Sequence, residues 1–257
     1  MNTYLNNFSL EGQVALVTGA GRGLGFNIAK AFAQSGAEVI VNGRDAVRLA
    51  DAARTIDPAQ KNVQPMSFDV TDEAAVRQAF DLIRNRYGRL DILVNNVGVR
   101  NRKPFSQFTS ADIHALLEAD LVAAMMLSQA AAQMMSERRH GRLIAVTSIA
   151  GHLARAGDAV YTVAKHGLTG LMRGLAAEYG ANGITSNAIA PGGFATQANA
   201  AALADPQIRA HFANRTPLGR WGEPDEVAGA AVFLASPAAS YVNGHVLVVD
   251  GGMSISM

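Results

Sequence analysis

Short apolar runs rich in β-branched residues alternate with longer helix-like segments along almost the whole chain. That alternation most constrains its fold. The runs are 14–17, 38–41, 63–68, 90–94, 142–147, 184–189 and 246–249. Several are continuously apolar, as strands covered on both faces must be. Between them, 24–34, 46–54, 73–87, 111–138, 160–179 and 224–235 read as helices. Asp72 and Ser110 are placed to cap two of these, and Pro224 suits a first helical turn. Strand, helix and strand joined by short links predict right-handed crossovers and a parallel sheet. No linker, repeat or charge run divides the 257 residues, a length ample for a large core. The expectation is one α/β domain, 1–257, doubly wound, with a mainly parallel seven-stranded sheet. The stretch 192–222 is long for a connection and is expected to fold over a site as a lid.

The sequence Thr18-Gly19-Ala20-Gly21-Arg22-Gly23-Leu24-Gly25 follows the first strand and opens the first helix. Glycines here let the chain turn tightly, let the backbone approach a pyrophosphate, and let helix pack on strand. The helix N-terminus then offers free N–H groups and partial positive charge to phosphates. The spacing Gly19-x3-Gly23-x-Gly25 differs from the common GxGxxG, but its position predicts a dinucleotide site in a Rossmann-type domain. The second strand ends Val41-Asn42-Gly43-Arg44, with no carboxylate at its tip to hold ribose hydroxyls. Arg22 and Arg44 suit an extra phosphate, so NADP is expected over NAD. Asp45 as a displaced ribose ligand keeps NAD open. Asp69 and Val70 either flank the adenine or form a simple turn.

Tyr161 and Lys165 stand at i and i+4, on one helix face. A free tyrosine, with a pKa near ~10, is about one part in a thousand ionised at neutral pH. An ammonium ~4 Å away at an effective dielectric of ~20 favours a phenolate by about 4 kcal/mol. Such a pair can give a proton to a carbonyl oxygen or take one from a hydroxyl. With five tyrosines and four lysines the spacing arises by chance in about 8% of such chains, so it needs company. Ser148 provides it, just past the fifth strand, at the sheet edge where ligands bind in open α/β folds.

Together, the glycine turn, Asn95-Asn96-Val97-Gly98, Ser148, Tyr161-x3-Lys165 and Pro191-Gly192 resemble the short-chain dehydrogenase/reductase family, in order and spacing, from about residue 10 to 252. The resemblance implies hydride transfer between a nicotinamide and a CH–OH group. It makes Tyr161 the acid/base and Ser148 the group that orients the substrate oxygen. Lys165 would bind the nicotinamide ribose and favour the phenolate. Asn95, Gly98, Pro191, Gly192, Ile189 and Thr196 would contact the cofactor. Two positions depart from the family pattern. Val97 replaces an alanine, a methyl-scale change. Asp120 replaces a catalytic asparagine that helps hold a proton-relay water. Asp120 still supports the relay, shifts the pH optimum, or abolishes activity; the sequence leaves all three open.

Within the family, Arg102-Lys103-Pro104-Phe105, Arg215-Thr216-Pro217, Arg220-Trp221-Gly222 and Val242-Asn243-Gly244-His245 resemble gluconate 5-dehydrogenases. That implies a sugar acid and its 5-keto form as substrates. Arg100, Arg102 and Lys103 then become candidates for its carboxylate, or form a solvated basic loop. His152, Arg155 and Asp158 are expected to border the substrate, while Arg215, Arg220 and Trp221 brace the base of the lid. The rival is a 3-oxoacyl carrier-protein reductase, for which Arg138, Arg139 and Arg142 would form a docking patch. A non-catalytic NADP-binding module is the alternative of another class.

Composition narrows the field. Twenty-two Lys plus Arg balance 21 Asp plus Glu, so the charge of +1 gives no reason to expect nucleic acid or an anionic membrane. Cysteine is absent and the six histidines show no ligand pair, with His140 reading as surface; no metal site is expected. The opening thirteen residues lack a signal-peptide pattern, and 121–135 reads as a buried helix, so a cytoplasmic protein is expected. The resemblance also implies a homotetramer through helices 111–138 and 160–179. Their small residues Ala123, Ala124, Ala130 to Ala132, Gly167, Gly170 and Gly174 permit close approach. The 246–249 strand and the tail to Met257 are expected to form a second contact.

Overall fold

A computed structural model describes residues 4–256; the ends of the expected 1–257 domain, Met257 of the tail among them, lie outside these. The strands are β1 (Val14–Val17), β2 (Glu38–Gly43), β3 (Val63–Ser67), β4 (Ile92–Asn95), β5 (Gly141–Val146), β6 (Ile184–Pro191) and β7 (Val246–Val249). They form one sheet in the order β3-β2-β1-β4-β5-β6-β7, and every pairing is parallel. β1, β4, β5 and β6 are buried at every residue; β1 is apolar throughout, whereas β5 buries Arg142 and β6 buries Thr185, Ser186 and Asn187 among its apolar residues. Pro65 sits in β3, an edge strand, where a missing N–H is tolerated.

The helices are α1 (Gly23–Gln34), α2 (Ala46–Ile56), α3 (Glu73–Tyr87), α4 (Ser110–Leu117), α5 (Ala123–Arg138), α6 (Ala159–Tyr179), α7 (Ala200–Ala204), α8 (Pro206–Asn214) and α9 (Ala228–Ala235). One face of the sheet is covered by α1 and α9 around Ile28, Phe32, Val227 and Leu234. The other is covered by α3 and α5 around Phe80, Ile83, Leu127 and Met135. As expected, Asp72 caps α3 by accepting from the Ala74 and Ala75 amides. Pro224 opens a short 3-10 turn, Pro224–Val227, that leads into α9.

The expected 111–138 helix differs in two ways. Its cap is Thr109 rather than Ser110: the Thr109 hydroxyl accepts from the Asp112 amide while Asp112 accepts from the Thr109 amide. Between α4 and α5 the chain widens into a π-helical turn, Glu118–Val122, that carries Asp120 inward. The 29-residue run Ser110–Arg138 has the length and apolar content of a membrane span. Here that apolar surface covers the sheet, through Leu127, Ala131, Ala132 and Met135.

The small residues expected at a subunit interface divide. Ala123, Ala124, Ala131 and Ala132 are buried within the chain, and Gly167 makes room for Leu121. Gly170 and Gly174 face open space, beside exposed Val163 on α6.

Candidate active site

The sheet order reverses between β1 and β4: the chain winds outward one way to β3 and the other way to β7. A crevice must open beyond the carboxyl ends of the strands where their connections diverge. A cleft of about 1160 Å³ lies there. Its lining includes the glycine turn after β1, Asn96 to Gly98 after β4, Ser148 after β5, and Pro191 and Gly192 at the end of β6.

At one end, Gly19 and Gly23 adopt left-handed backbone, φ +62° and +64°. No side chain caps α1, so its first-turn amides are left to a ligand. Gly19, Arg22, Gly23 and Leu24 line the cleft, whereas Gly25 lies beneath it. A Cβ on Gly25 would come within 2.4 Å of Asn96 Nδ2 and 2.7 Å of the Gly19 carbonyl, so this glycine serves packing. Asn96 fixes the turn from below, donating to the carbonyls of Thr18 (2.9 Å) and Gly19 (3.2 Å). Sequence reasoning fell on Asn95 instead. The Asn95 side chain is buried and donates to Ser128 Oγ at 2.9 Å; it does not line the cleft, nor does Ile189, which is buried in the core.

Beyond the tip of β2, Arg44 lies 3.6 Å from Asp69, and both line the cleft with Val70. The Thr71 amide and hydroxyl and the Arg44 guanidinium hold the Asp69 carboxyl below its ordinary range, against the cost of burial. Asp45 is occupied as the cap of α2, accepting from the Arg48 amide at 3.0 Å. The Arg48 side chain also lines this end and was missed in the sequence, where it reads as an ordinary helix surface. Arg22, Arg44 and Arg48 thus present three guanidiniums beside the phosphate turn. The open amides of the turn fit the pyrophosphate of a dinucleotide.

At the other end stand Ser148, Tyr161 and Lys165. Ser148 Oγ accepts from the Ala150 amide at 3.1 Å, which fixes the hydroxyl at the cleft wall. Tyr161 and Lys165 leave the first turns of α6, with Lys165 Nζ 5.5 Å from the centre of the tyrosine ring. Lys165 is held by Asp120, whose Oδ2 lies 3.2 Å from Nζ and whose Oδ1 accepts from the Val99 amide at 2.6 Å. Burial pushes the Asp120 carboxyl up, and Lys165, the Val99 amide and Arg100 pull it part of the way back. Gly98 is required here: a Cβ would sit 2.9 Å from Lys165 Nζ. Thr196, Phe194, Gln197 and Asn199, from the 192–222 segment, complete the wall.

Several expected substrate contacts are used elsewhere. Arg102 forms a two-pronged pair with buried Asp158, 2.9 Å at each contact, and Lys103 pairs with Asp112 at 2.8 Å. His152, Arg155 and Asp158 do not line the cleft; His152 lines a smaller hollow with Arg173 and His245. Arg220 is bound to Glu226 and Trp221 stacks on Phe212 at 4.6 Å, bracing the segment as expected. Of the three arginines expected to form a patch for a carrier protein, Arg142 is buried in β5, while Arg138 and Arg139 stay exposed and Arg139 donates to the Ala181 carbonyl. His140, expected at the surface, is half-buried, and burial together with Arg142 lowers its pKa.

The model of a dehydrogenase/reductase family described as enoyl-(acyl carrier protein) reductase matches residues 19–254. The chain belongs to the short-chain dehydrogenase/reductase family. It is 41% identical over 250 residues to gluconate 5-dehydrogenase of Gluconobacter oxydans, covering 97% of this chain and 98% of that protein. It is also 38% identical over 250 residues to the 3-oxoacyl-[acyl-carrier-protein] reductase FabG of Escherichia coli, covering 95% and 98%. Three points of identity separate the two, so the choice of substrate needs the site as well. A crystal structure of a gluconate 5-dehydrogenase from Burkholderia cenocepacia in complex with NADP and tartrate superposes with a TM-score of 0.94, at 39% identity, covering 99% of this chain and 100% of that one.

Proposed function

We propose that this chain is an NAD(P)-dependent oxidoreductase of sugar acids, interconverting a secondary alcohol and a ketone of the gluconate/5-ketogluconate type, with NADP preferred to NAD. The observation that carries the reading is one cleft with a phosphate-binding turn and three guanidiniums at one end and Ser148, Tyr161 and Lys165 at the other. The relatives named for gluconate 5-dehydrogenase support the substrate class, and the burial of Arg142 takes one of three cations out of the patch expected for a protein-tethered acyl substrate.

When bound, the nicotinamide supplies or accepts the hydride. Gly19, Arg22, Gly23 and Leu24 hold the pyrophosphate, and Arg44 and Arg48 the additional phosphate. Asp69 and Val70 flank the adenine. Gly98, Pro191, Gly192 and Thr196 border the nicotinamide end. Ser148 donates to the substrate oxygen and orients it; the Tyr161 hydroxyl gives that oxygen a proton in reduction and takes one in oxidation. Lys165 favours the tyrosine's anionic form through its charge, and Asp120 positions Lys165.

The whole chain acts as one domain, with 192–222 as the lid over the substrate; Phe194 and Thr196 to Asn199 already line the cleft. We assign a homotetramer built through α5 and α6, supported by the outward Gly170 and Gly174 and by exposed Met125 and Val163. A monomer mass in sedimentation would reject it. The cytoplasm, where a soluble dinucleotide is available, is the compartment that suits this activity.

Initial rates followed by nicotinamide absorbance test the function. Gluconate is paired with NADP⁺ and NAD⁺, 5-ketogluconate with NADPH and NADH, and an acetoacetyl thioester with both reduced cofactors. The expected result is ketogluconate turnover, greater with NADPH, that falls at least about 100-fold in Tyr161→Phe. Turnover of the thioester alone would overturn the reading.

A further inference from the structure

Three cations follow β4, at positions 100, 102 and 103, and the fold spends two of them. Arg102 is bound to Asp158 and Lys103 to Asp112. Lys165, the other cation at this end of the cleft, is held by Asp120. Arg100 alone of the four forms no ion pair among the described residues. It lines the cleft and is exposed, with its guanidinium carbon 4.4 Å from the centre of the Tyr161 ring. Stacking on an aromatic face leaves the in-plane N–H donors of an arginine available, and those donors match a carboxylate in two-pronged geometry.

We propose that Arg100 is the residue that selects a carboxylate-bearing substrate, receiving the C1 carboxylate of the sugar acid while its C5 oxygen meets Tyr161. This inference rests on the sugar-acid reading above. The reach is right: the four carbon–carbon bonds from C5 to C1 span about 5 Å when extended. That matches a guanidinium seated over the ring whose hydroxyl handles the C5 oxygen. The remaining polar lining suits the hydroxyl groups between, with Asn101, Gln197 and Asn199 as donors and acceptors and Glu118 as an acceptor. Charge and hydrogen-bonding capacity are thereby divided along the cleft as they are along a polyhydroxy acid.

The test compares gluconate with gluconamide, which keeps the hydroxyls and removes the charge, at saturating NADP⁺. Wild-type enzyme is expected to favour gluconate in kcat/KM by at least about tenfold. Arg100→Gln should collapse that ratio mainly by raising the gluconate KM about tenfold, and Arg100→Lys should restore part of it, since a point charge replaces the fork. Equal losses on gluconate and gluconamide in Arg100→Gln would mean that Arg100 only supports the Tyr161 ring, and would overturn the inference alone. An unchanged gluconate KM would do the same. Wild-type silence on both compounds would overturn the sugar-acid reading and this inference with it.

Discussion

Asp120 Oδ2 lies 3.2 Å from Lys165 Nζ, both side chains are almost wholly buried, and the Val99 amide holds the other carboxylate oxygen at 2.6 Å. An asparagine at this position would keep the acceptor and lose the ion pair. The π-helical turn Glu118–Val122 matters because it rotates Asp120 off the surface of a long helix and toward α6. Replacing Asp120 by alanine would strand a buried ammonium, at a cost of about 3 kcal/mol in stability. Thermal unfolding of Asp120→Ala, with a Tm fall of several degrees, checks this; an unchanged Tm would mean that Lys165 finds another partner.

The pH dependence of this pair has a definite sign. Burial raises the Asp120 pKa in the folded chain, against the opposing charges of Lys165 and Arg100. The stabilising contribution of the proton is full below the unfolded value, about 4, and is lost as pH rises through the folded value. Asp120→Asn has no such loss, so it should gain stability relative to wild type as pH rises from about 4 toward neutrality. In catalysis the ion pair needs the ionised carboxylate, so the wild-type kcat profile should carry an acid limb that Asp120→Asn lacks. Parallel profiles in both measurements would refute the coupling.

Cofactor choice turns on the β2 tip. Arg44 is exposed and only loosely paired with Asp69, while Arg48 flanks Gly21. Alanine at Arg44 should raise the KM for NADPH about tenfold and alter that for NADH by less than about threefold, because only NADPH carries the extra phosphate. Added salt should narrow the difference. An equal effect on both cofactors would place Arg44 away from that phosphate.

Much of this was legible in the sequence because the same physical demand acts on every residue of an element. Strands covered on both faces are mostly apolar, so β1 and the apolar stretches of β4, β5 and β6 announced themselves despite buried Arg142 and Asn187, and Asp72 marked a helix start by its own capping chemistry. The glycine turn was legible for a related reason, since few side chains tolerate left-handed backbone at Gly19 and Gly23. What stayed hidden depended on tertiary partners. Asn95 and Asn96 are chemically identical, and only the turn of the chain after β4 sends one to Ser128 and the other under the glycine turn. Arg102 and Lys103 read as free cations until Asp158 and Asp112, 56 and 9 residues away, were brought beside them. The π-helical turn left no signal, because Glu118 to Val122 carry an unbroken helical pattern.

Gly25 offers a stability test free of chemistry. Its Cβ would fall 2.4 Å from Asn96 Nδ2 and 2.7 Å from the Gly19 carbonyl, and that carbonyl is backbone that cannot swing aside. Gly25→Ala should therefore cost about 1–3 kcal/mol and weaken NADPH binding, through displacement of the turn itself. Denaturant unfolding and a fluorescence titration with NADPH measure the two effects. A stable variant with normal binding would show that the turn gives way at no cost.

Gly98 separates packing from catalysis at the other end of the cleft. An added methyl would meet Lys165 Nζ at 2.9 Å and Asp120 Oδ2 at 3.3 Å. Lysine tips usually move aside cheaply, but this one is held by a buried carboxylate that the Val99 amide fixes in turn. The strain must then be relieved by moving the ammonium away from its place beside Tyr161, and a misplacement near 1 Å at a catalytic group costs up to about 100-fold in rate. Gly98→Ala should lower kcat at least about tenfold while Tm changes by only a few degrees. Unaltered kcat would mean that Lys165 has room to spare and that Asp120 does not fix its position.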